Sequence, residues 1–104
     1  MDINEKIISI IKKSVYKADS DAKIILYGSR ARGDAKSNSD WDIIVIVNNN
    51  KTPEENYNDI AYPLLTKGID MGVEINAIVY SEEQWNKRKP TLFRHNILKD
   101  GIML

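Results

Sequence analysis

An uninterrupted apolar run near the middle of the chain constrains the fold more than any other feature. Residues 43–47 are Ile-Ile-Val-Ile-Val, five consecutive residues that are all β-branched. Such residues are enriched in strands, so a strand is predicted over residues 41–47, ending at Asn48-Asn49-Asn50. Aspartate is depleted in strands, and the carboxylate of Asp42 at the head of this run therefore requires an explanation.

Two further strands and a first helix are predicted from equally local patterns. Apolar residues recur every three or four positions between Ile3 and Val15, which is typical of an amphipathic helix over residues 3–18. The mostly apolar segments 23–27 and 73–80 favour strands.

The helix after the central strand is predicted from a capping box. Thr52-Pro53-Glu54-Glu55 supplies a threonine N-cap, a proline at the first helical position and a glutamate three residues after the cap. We expect this helix to reach about residues 65–67, with Pro63 bending or shortening it. Tyr57 and Tyr62 are expected in the core rather than on a partner or oligomer surface.

The last quarter of the chain predicts two short helices. Ser81 and Gln84 form a second capping-box pattern, and a final helical piece is expected over residues 91–99. Residues 102–104 either add an edge strand or pack down. The order of elements indicates an α/β (α+β) fold in which helices cover a small mixed β-sheet.

Length and composition limit the kinds of site that the chain can build. Its 104 residues suit one compact domain. With no cysteine and a single histidine, thiolate sites and zinc sites made of several imidazoles are excluded. Carboxylates are the plentiful ligands, which favours hard cations such as magnesium or manganese.

Charge and hydropathy bear on the partners and the compartment. Lys+Arg and Asp+Glu balance at 15 each, which disfavours broad nucleic-acid binding, although Lys87-Arg88-Lys89 leaves nucleic-acid modification open. A net charge near zero gives little self-repulsion, so association with a partner protein or a homo-oligomer is physically easy. No apolar run reaches the length of a membrane span and no signal peptide precedes the first helix, so a cytoplasmic protein is expected.

A glycine-serine turn after the first strand is a candidate phosphate-binding site. Gly28 lets a ligand approach the backbone, Ser29 adds a hydroxyl donor, and Arg30 and Arg32 could reach phosphate oxygens. An ordinary turn with solvated arginines is the alternative. A Walker A loop is excluded because Asp34-Ala35 stand where Lys-Ser/Thr is required.

Two aspartates next to this turn are candidate metal ligands. On a strand, Asp40 and Asp42 would share a face with Cα atoms about 6–7 Å apart. Carboxylates at that separation can converge on two divalent ions, whereas burying them side by side without a cation would be costly. Trp41 between them would point to the opposite face and anchor the strand in the core. A solvated pair at the strand start is the alternative.

A third carboxylate is expected early in the third strand. Glu74 is the candidate, with Asn76 on the same face and Asp70 as a weaker rival; an exposed edge-strand glutamate is the alternative. His95 is interpreted as structural or superficial. Acyl chemistry by Ser29 and His95 has no support from their spacing.

Gly28-Ser29-Arg30-Ala31-Arg32-Gly33, a short spacer and Ser39-Asp40-Trp41-Asp42 together resemble a known signature. It is the G-S-x-A-R-G…S-D-x-D pattern of the nucleotidyltransferase superfamily related to DNA polymerase β. The length and helix-first order resemble its minimal (MNT) domains, and residues 93–102 are similar to the tails of small members. The resemblance implies a polymerase-β-type fold, with residues 1–104 forming one minimal domain.

The resemblance also implies roles for the residues already singled out. Gly28 and Ser29 would hold the triphosphate of ATP or another NTP, with Arg30, Arg32 and Ser39 completing the phosphate-binding set.

Asp40 and Asp42 would bind two Mg²⁺ ions, or Mn²⁺ in their place. Glu74 would share the metal site and activate the acceptor hydroxyl, at a position where the family often has aspartate.

The acceptor is expected on another chain, because 104 residues leave no platform to hold one. Minimal members of the family are commonly encoded beside HEPN-domain toxins, and some transfer AMP to a tyrosine of the partner. The resemblance therefore implies a nucleotidyltransferase that moves an NMP, above all AMP, to a hydroxyl group of such a protein. The alternative is a non-catalytic, nucleotide-binding antitoxin that acts by contact.

Overall fold

A computed structural model of the chain describes residues 3–87 and 91–104, so Arg88, Lys89 and Pro90 lie outside the described residues. The helices are α1 (Ile3–Ala18), α2 (Ser29–Arg32), α3 (Pro53–Asn56), α4 (Tyr62–Asp70), α5 (Glu82–Lys87) and α6 (Leu92–Asp100). The strands are β1 (Lys23–Tyr27), β2 (Trp41–Val47), β3 (Ile75–Ser81) and β4 (Ile102–Met103). A π-helical turn, Tyr57–Ala61, joins α3 to α4.

The strands of the described residues form one mixed sheet in the order β3-β2-β1-β4. β1 is antiparallel to both β2 and β4, and β3 runs parallel to β2. The predicted mixed sheet, the first two strands and the first helix are confirmed. Residues 102–104 do contribute an edge strand, since Ile102 and Met103 pair with β1.

The third strand starts later than predicted, at Ile75 instead of residue 73. The backbone N–H of Val73 donates to the carbonyl of Gly68, 2.9 Å away, so this residue still belongs to the turn that ends α4. Gly72 takes a φ of 76° in the same turn. Glu74 consequently precedes the strand instead of lying within it.

Helices cover both faces of the sheet, as the element order indicated. Alternate residues of β2 point to opposite faces, because side chains alternate along a strand. Trp41, Ile43, Val45 and Val47 pack against α1 and α4, and Trp41 is 2% exposed as predicted. Ile44 and Ile46 pack on the other face against Trp85 of α5 and Ile97 of α6.

The helical segment is longer than the predicted end at residues 65–67, so the expectation that Pro63 shortens it is wrong. Helical structure continues to Asp70, with Pro63 in the first turn of α4. A proline ring inside a regular α-helix clashes with the carbonyl four residues earlier. Here the backbone directly before it is widened, since the N–H of Tyr62 donates to the carbonyl of Tyr57, five residues back. The π turn thus accommodates the proline without ending the helix.

Tyr57 and Tyr62 are half exposed, at 50% and 52%, so their predicted place in the core is wrong. Their rings lie 6.4 Å apart on the outside of the helical segment. Ile60 and Leu64 face the sheet instead and are almost completely buried.

Both predicted capping boxes are present. Thr52 accepts from the N–H of Glu55 at 3.1 Å, and Glu55 accepts from the N–H of Thr52 at 3.2 Å. Ser81 and Gln84 make the corresponding pair at 3.0 and 3.1 Å. No helix within residues 3–87 or 91–104 is long and apolar enough to cross a membrane.

Candidate active site

The glycine turn and the second aspartate are in direct contact. Gly28 follows β1 with φ 76° and ψ −157°, a conformation that is essentially restricted to glycine. A Cβ atom at this position would lie 2.5 Å from Oδ2 of Asp42. The carboxylate therefore rests on bare backbone, and the two sequence elements that were predicted to cooperate are joined in space.

The strand pairing places a third polar residue beside the aspartates. Asp42 pairs with Tyr27 of β1 on one side and with Asn76 of β3 on the other. Asp40 lies just before β2, and Nδ2 of Asn76 donates to its Oδ2 at 3.4 Å. Asn76 thus pairs with Asp42 in the strand register and contacts Asp40 by a hydrogen bond.

The electrostatics of this group favour a cation. Partial burial raises the pKa of the Asp42 carboxyl, the charge of Asp40 raises it further, and Arg32 opposes both effects. Burial, followed by the negative charge of Asp42, also raises the pKa of Tyr27. The ionised form of the Asp42 carboxyl is therefore disfavoured in this environment, and a divalent ion bound by the carboxylate oxygens would offset that free-energy penalty. The donor set fits Mg²⁺ or Mn²⁺.

Glu74 does not contact the cluster formed by Asp40, Asp42 and Asn76. Its side chain is exposed, and the register position opposite Asp42 is taken by Asn76 because β3 begins only at Ile75. Its carbonyl accepts from the N–H of Trp41 at 2.9 Å, which fixes its backbone beside Asp40.

Glu74 and Asp40 line one cavity of about 390 Å³. Within residues 3–87 and 91–104, no three histidine, aspartate or glutamate side chains are arranged to hold a metal. The role of Glu74 as a third ligand stays a prediction.

Arg30 holds the loop that leads into the site. Its Nη2 donates to the carbonyl of Ser39 at 2.9 Å and lies 3.4 Å from that of Ser37. Its guanidinium stacks 4.6 Å above the ring of Trp41. The hydroxyl of Ser39 accepts from the N–H of Lys36 at 2.8 Å. These contacts fix the chain just before Asp40, while the predicted phosphate-binding roles of Arg30 and Ser39 stay predictions.

Arg32 lies closer to the carboxylates. Its charge lowers the pKa of Asp42, and its Nε makes an exposed ion pair with Asp34 at 3.4 Å. Such a pair is weak and easily exchanged for another anion. Of the two arginines, Arg32 is the better placed for the phosphate role predicted for both.

Sequence reasoning missed the wall that α6 adds to the site. Phe93, Asn96 and Asp100 approach Tyr27, Gly28 and Arg32 around one small cavity. Their spacing of three and four residues puts them on one face of a helix, and this pattern could have been recognised in the sequence. The sequence did not show which strand that face covers. His95, on the same helix, is exposed.

A family model described as a nucleotidyltransferase domain matches residues 5–102 of this chain. A protein of Methanocaldococcus jannaschii named "Putative protein adenylyltransferase" is 43% identical over 82 residues. The match spans 79% of this chain and 76% of that protein.

Two solved structures share the fold. One is described as a "putative nucleotidyltransferase" from Sulfolobus solfataricus, with a TM-score of 0.57 and 19% identity over 95% of this chain and 82% of that one. The other is a toxin-antitoxin with AMP-PNP, with a TM-score of 0.55 and 18% identity over 88% of this chain and 70% of that one. At these identities the likeness concerns the fold.

Proposed function

Because this chain belongs to the nucleotidyltransferase domain family, we propose that it is a Mg²⁺-dependent enzyme that transfers AMP from ATP to a hydroxyl group on a partner protein. The observation that carries this proposal is the seating of Asp42 on Gly28. It brings the carboxylate of Asp42 against a glycine turn of the kind that lets a ligand approach the backbone.

Each residue of the site then has a part in the transfer. Asp40 and Asp42 would hold Mg²⁺, which neutralises charge on the phosphates and aligns the attacking and leaving oxygens. Gly28 leaves room for the carboxylate of Asp42 beside the turn, and Arg32 would neutralise part of the charge of phosphates bound there. Glu74, exposed in the cavity that it shares with Asp40, would accept the proton of the attacking hydroxyl as the new bond to the α-phosphorus forms and pyrophosphate leaves.

The proposed partner is supported by the exposure of the site and by the relatives of the chain. The site opens on the surface, where Asp40 and Glu74 are exposed, so a tyrosine or serine of another protein can reach it. The relative named as a protein adenylyltransferase supports a protein acceptor. The fold shared with a toxin-antitoxin structure that contains AMP-PNP supports a toxin partner, for which we propose a HEPN-type protein.

One observation favours a second candidate, an antitoxin that binds nucleotide and its partner without turnover. No third carboxylate joins Asp40 and Asp42 among the described residues, so the group that should activate the acceptor is not assembled beside them.

Transfer from ATP labelled at the α-phosphate tests both candidates. The full chain is incubated with Mg²⁺, ATP labelled at the α-phosphate and the proposed partner protein, identified by co-purification with the chain. A parallel incubation contains ATP labelled at the γ-phosphate instead. Label from the α-phosphate alone is expected on the partner, and Asp40→Asn and Asp42→Asn should each reduce it by at least about a hundredfold. Asp21→Asn, an exposed aspartate in the turn before β1, is the matched control.

Transfer by Asp42→Asn at the wild-type rate would refute the proposal. Tight ATP binding with no transfer by the wild-type chain would establish the second candidate instead.

A further inference from the structure

A cavity at the far end of the sheet from the aspartates has no place in the proposed reaction. It has a volume of about 400 Å³ and lies between the last turn of α1, the loop after β2, the π turn and α4. Lys51 follows the end of β2, whereas Asp42 lies near its start. A strand rises about 3.3 Å per residue, so the stretch from Asp42 to Val47 spans about 16 Å. The cavity shares no lining residue with the cavities beside Asp40 and Gly28.

Three lysines from three elements line this cavity, and one of them is already compensated. Lys51, in the loop after β2, bonds to Asp59 of the π turn at 2.7 Å. That hydrogen bond raises the pKa of Lys51, and the charges of Glu55 and Asp19 raise it further. These acidic side chains therefore act on Lys51.

The other two lysines carry charge without a carboxylate partner. Neither Lys17 of α1 nor Lys67 of α4 forms an ion pair within residues 3–87 and 91–104. Nζ of Lys67 instead donates to the hydroxyl of Ser14 at 3.1 Å, and Ser14 is only 8% exposed. This bond holds the ammonium group at the wall of the cavity with further N–H donors left over, and the hydroxyl keeps its own proton to donate. The cavity thus presents positive charge and hydrogen-bond donors that are held in place before a ligand arrives.

These groups suit a phosphate dianion. Two uncompensated lysines match the charge of about −1.5 to −2 that a phosphate monoester carries at pH 7. Ammonium groups act as point charges around a tetrahedral phosphate, whereas a planar carboxylate is matched best by the fork of an arginine. No arginine of the described residues lines the cavity. Its volume falls in the range of small-molecule sites, about 300–1,000 Å³, so the organic part of a phosphate ester also has room.

The π turn is a second, independent feature of this place. Such turns are rare and are found frequently at functional sites. This one, Tyr57–Ala61, supplies Asp59 and lies just before Pro63, both of which line the cavity. It takes no part in the active site at the other end of the sheet.

We propose that this cavity binds a phosphate dianion, either free or as the monoester of a small molecule. Lys17 and Lys67 contact the phosphate oxygens, and Ser14 positions Lys67. Because the two lysines belong to different helices, the bound phosphate joins α1 to α4. The site is distinct from the donor and metal site, and the inference holds whether or not the chain transfers AMP.

Titration of the full chain, followed through the amide chemical shifts in NMR spectra, tests the site. Inorganic phosphate and glycerol 3-phosphate are added separately in EDTA, without Mg²⁺ and at constant ionic strength. Saturable shifts are expected at residues 14–18 and 63–67. Lys17→Gln and Lys67→Gln should each weaken binding about fivefold or more, and Ser14→Ala about threefold. The compound that binds more tightly identifies the source of the phosphate, and saturable binding of either one supports the site.

Lys6→Gln is the matched control. Lys6 is exposed on the same helix as Lys17 and does not line the cavity, so its replacement removes the same charge and should leave the affinity unchanged. Lys17 and Lys67 are exposed as well, so glutamine at either position does not threaten folding. Equal weakening by Lys6→Gln and Lys17→Gln would show a general effect of charge and overturn the site.

Two other outcomes would also overturn the inference. Shifts that stay linear with concentration, or that cluster only at residues 28–33, would show that the lysines form no phosphate site; the second pattern would leave the proposed function standing. If neither phosphate compound shifts residues 14–18 and 63–67 but the partner protein does, the lysines form a docking surface for a protein instead.

Discussion

Replacing Gly28 with alanine is expected to displace the carboxylate of Asp42, and the structure sets the size of the effect. The added Cβ would lie 2.5 Å from Oδ2 of Asp42 but 3.4 Å from Cγ and 3.5 Å from Cβ. Only the terminal oxygen overlaps, so the side chain can relieve the clash by rotating away from its present position.

The cost in stability has two parts. The backbone conformation at Gly28 costs a non-glycine residue about 1–3 kcal/mol. Turning Asp42 off its rotamer adds about 0.5–1.5 kcal/mol, which brings the total to roughly 1.5–4.5 kcal/mol. Gly33→Ala provides the control, because Gly33 also has positive φ, 83°, but no neighbouring atom within 4 Å of the new Cβ. It should cost about 1–2 kcal/mol.

A double-mutant cycle separates the two parts. Urea unfolding of the wild type, Gly28→Ala, Asp42→Ala and the double variant measures the coupling free energy, expected at about 0.5–1.5 kcal/mol, because the clash is absent once Asp42 is shortened. The transfer rate of Gly28→Ala should fall about a hundredfold, since a displacement of about 1 Å is enough for such a loss. Additive free energies together with an unchanged rate would refute the contact.

Three further outcomes follow from single contacts. In EDTA, the Asp42→Asn variant should be more stable than the wild type near pH 7, because the raised pKa of Asp42 means that the folded state disfavours the ionised carboxyl. Thermal unfolding measured at decreasing pH should show this difference in stability disappear below the ordinary pKa of aspartate, where the carboxyl is protonated in both states. Arg30→Lys should lower the free energy of unfolding in urea by about 1–2 kcal/mol and raise the Mg²⁺ concentration needed for half-maximal transfer. Arg32→Lys, which affects only an exposed ion pair, should change the free energy of unfolding by less than about 0.5 kcal/mol. Ile11→Ala, at a fully buried site, should lower the free energy of unfolding by about 2–5 kcal/mol, against less than about 0.5 kcal/mol for Ile3→Ala, which is 57% exposed; equal losses would contradict the packing of α1.

Local signals predicted the elements of this fold well. The bounds of α1, β1 and β2 and both capping boxes follow from residues within a few positions of each other. The prediction was wrong where one helical turn changed type. A π turn at residues 57–61 carried the chain past Pro63 and left Tyr57 and Tyr62 outside the core, and nothing in the local pattern announced it.

The candidate site also contains residues that local spacing could predict and one whose place depends on tertiary pairing. Gly28, Asp40 and Asp42 could be predicted because they lie within 15 residues of one another, on either side of a single strand connection. Sequence spacing could not place the side chain of Glu74 relative to the two aspartates, because its position depends on where β3 begins and on the register of β3 with β2. Tertiary pairing puts Asn76 opposite Asp42 and leaves Glu74 exposed.

The sequence by itself determined the chemical groups available to this protein: a glycine turn compatible with phosphate, two nearby carboxylates, no cysteine and a single histidine. Those properties belong to residue types and short spacings, which folding does not alter. Only the tertiary structure decided which groups meet. It seated Asp42 on Gly28, linked Asp40 to Asn76, and brought Asn96 and Asp100 of α6 to the turn, because strand register and helix packing act between residues far apart in the chain.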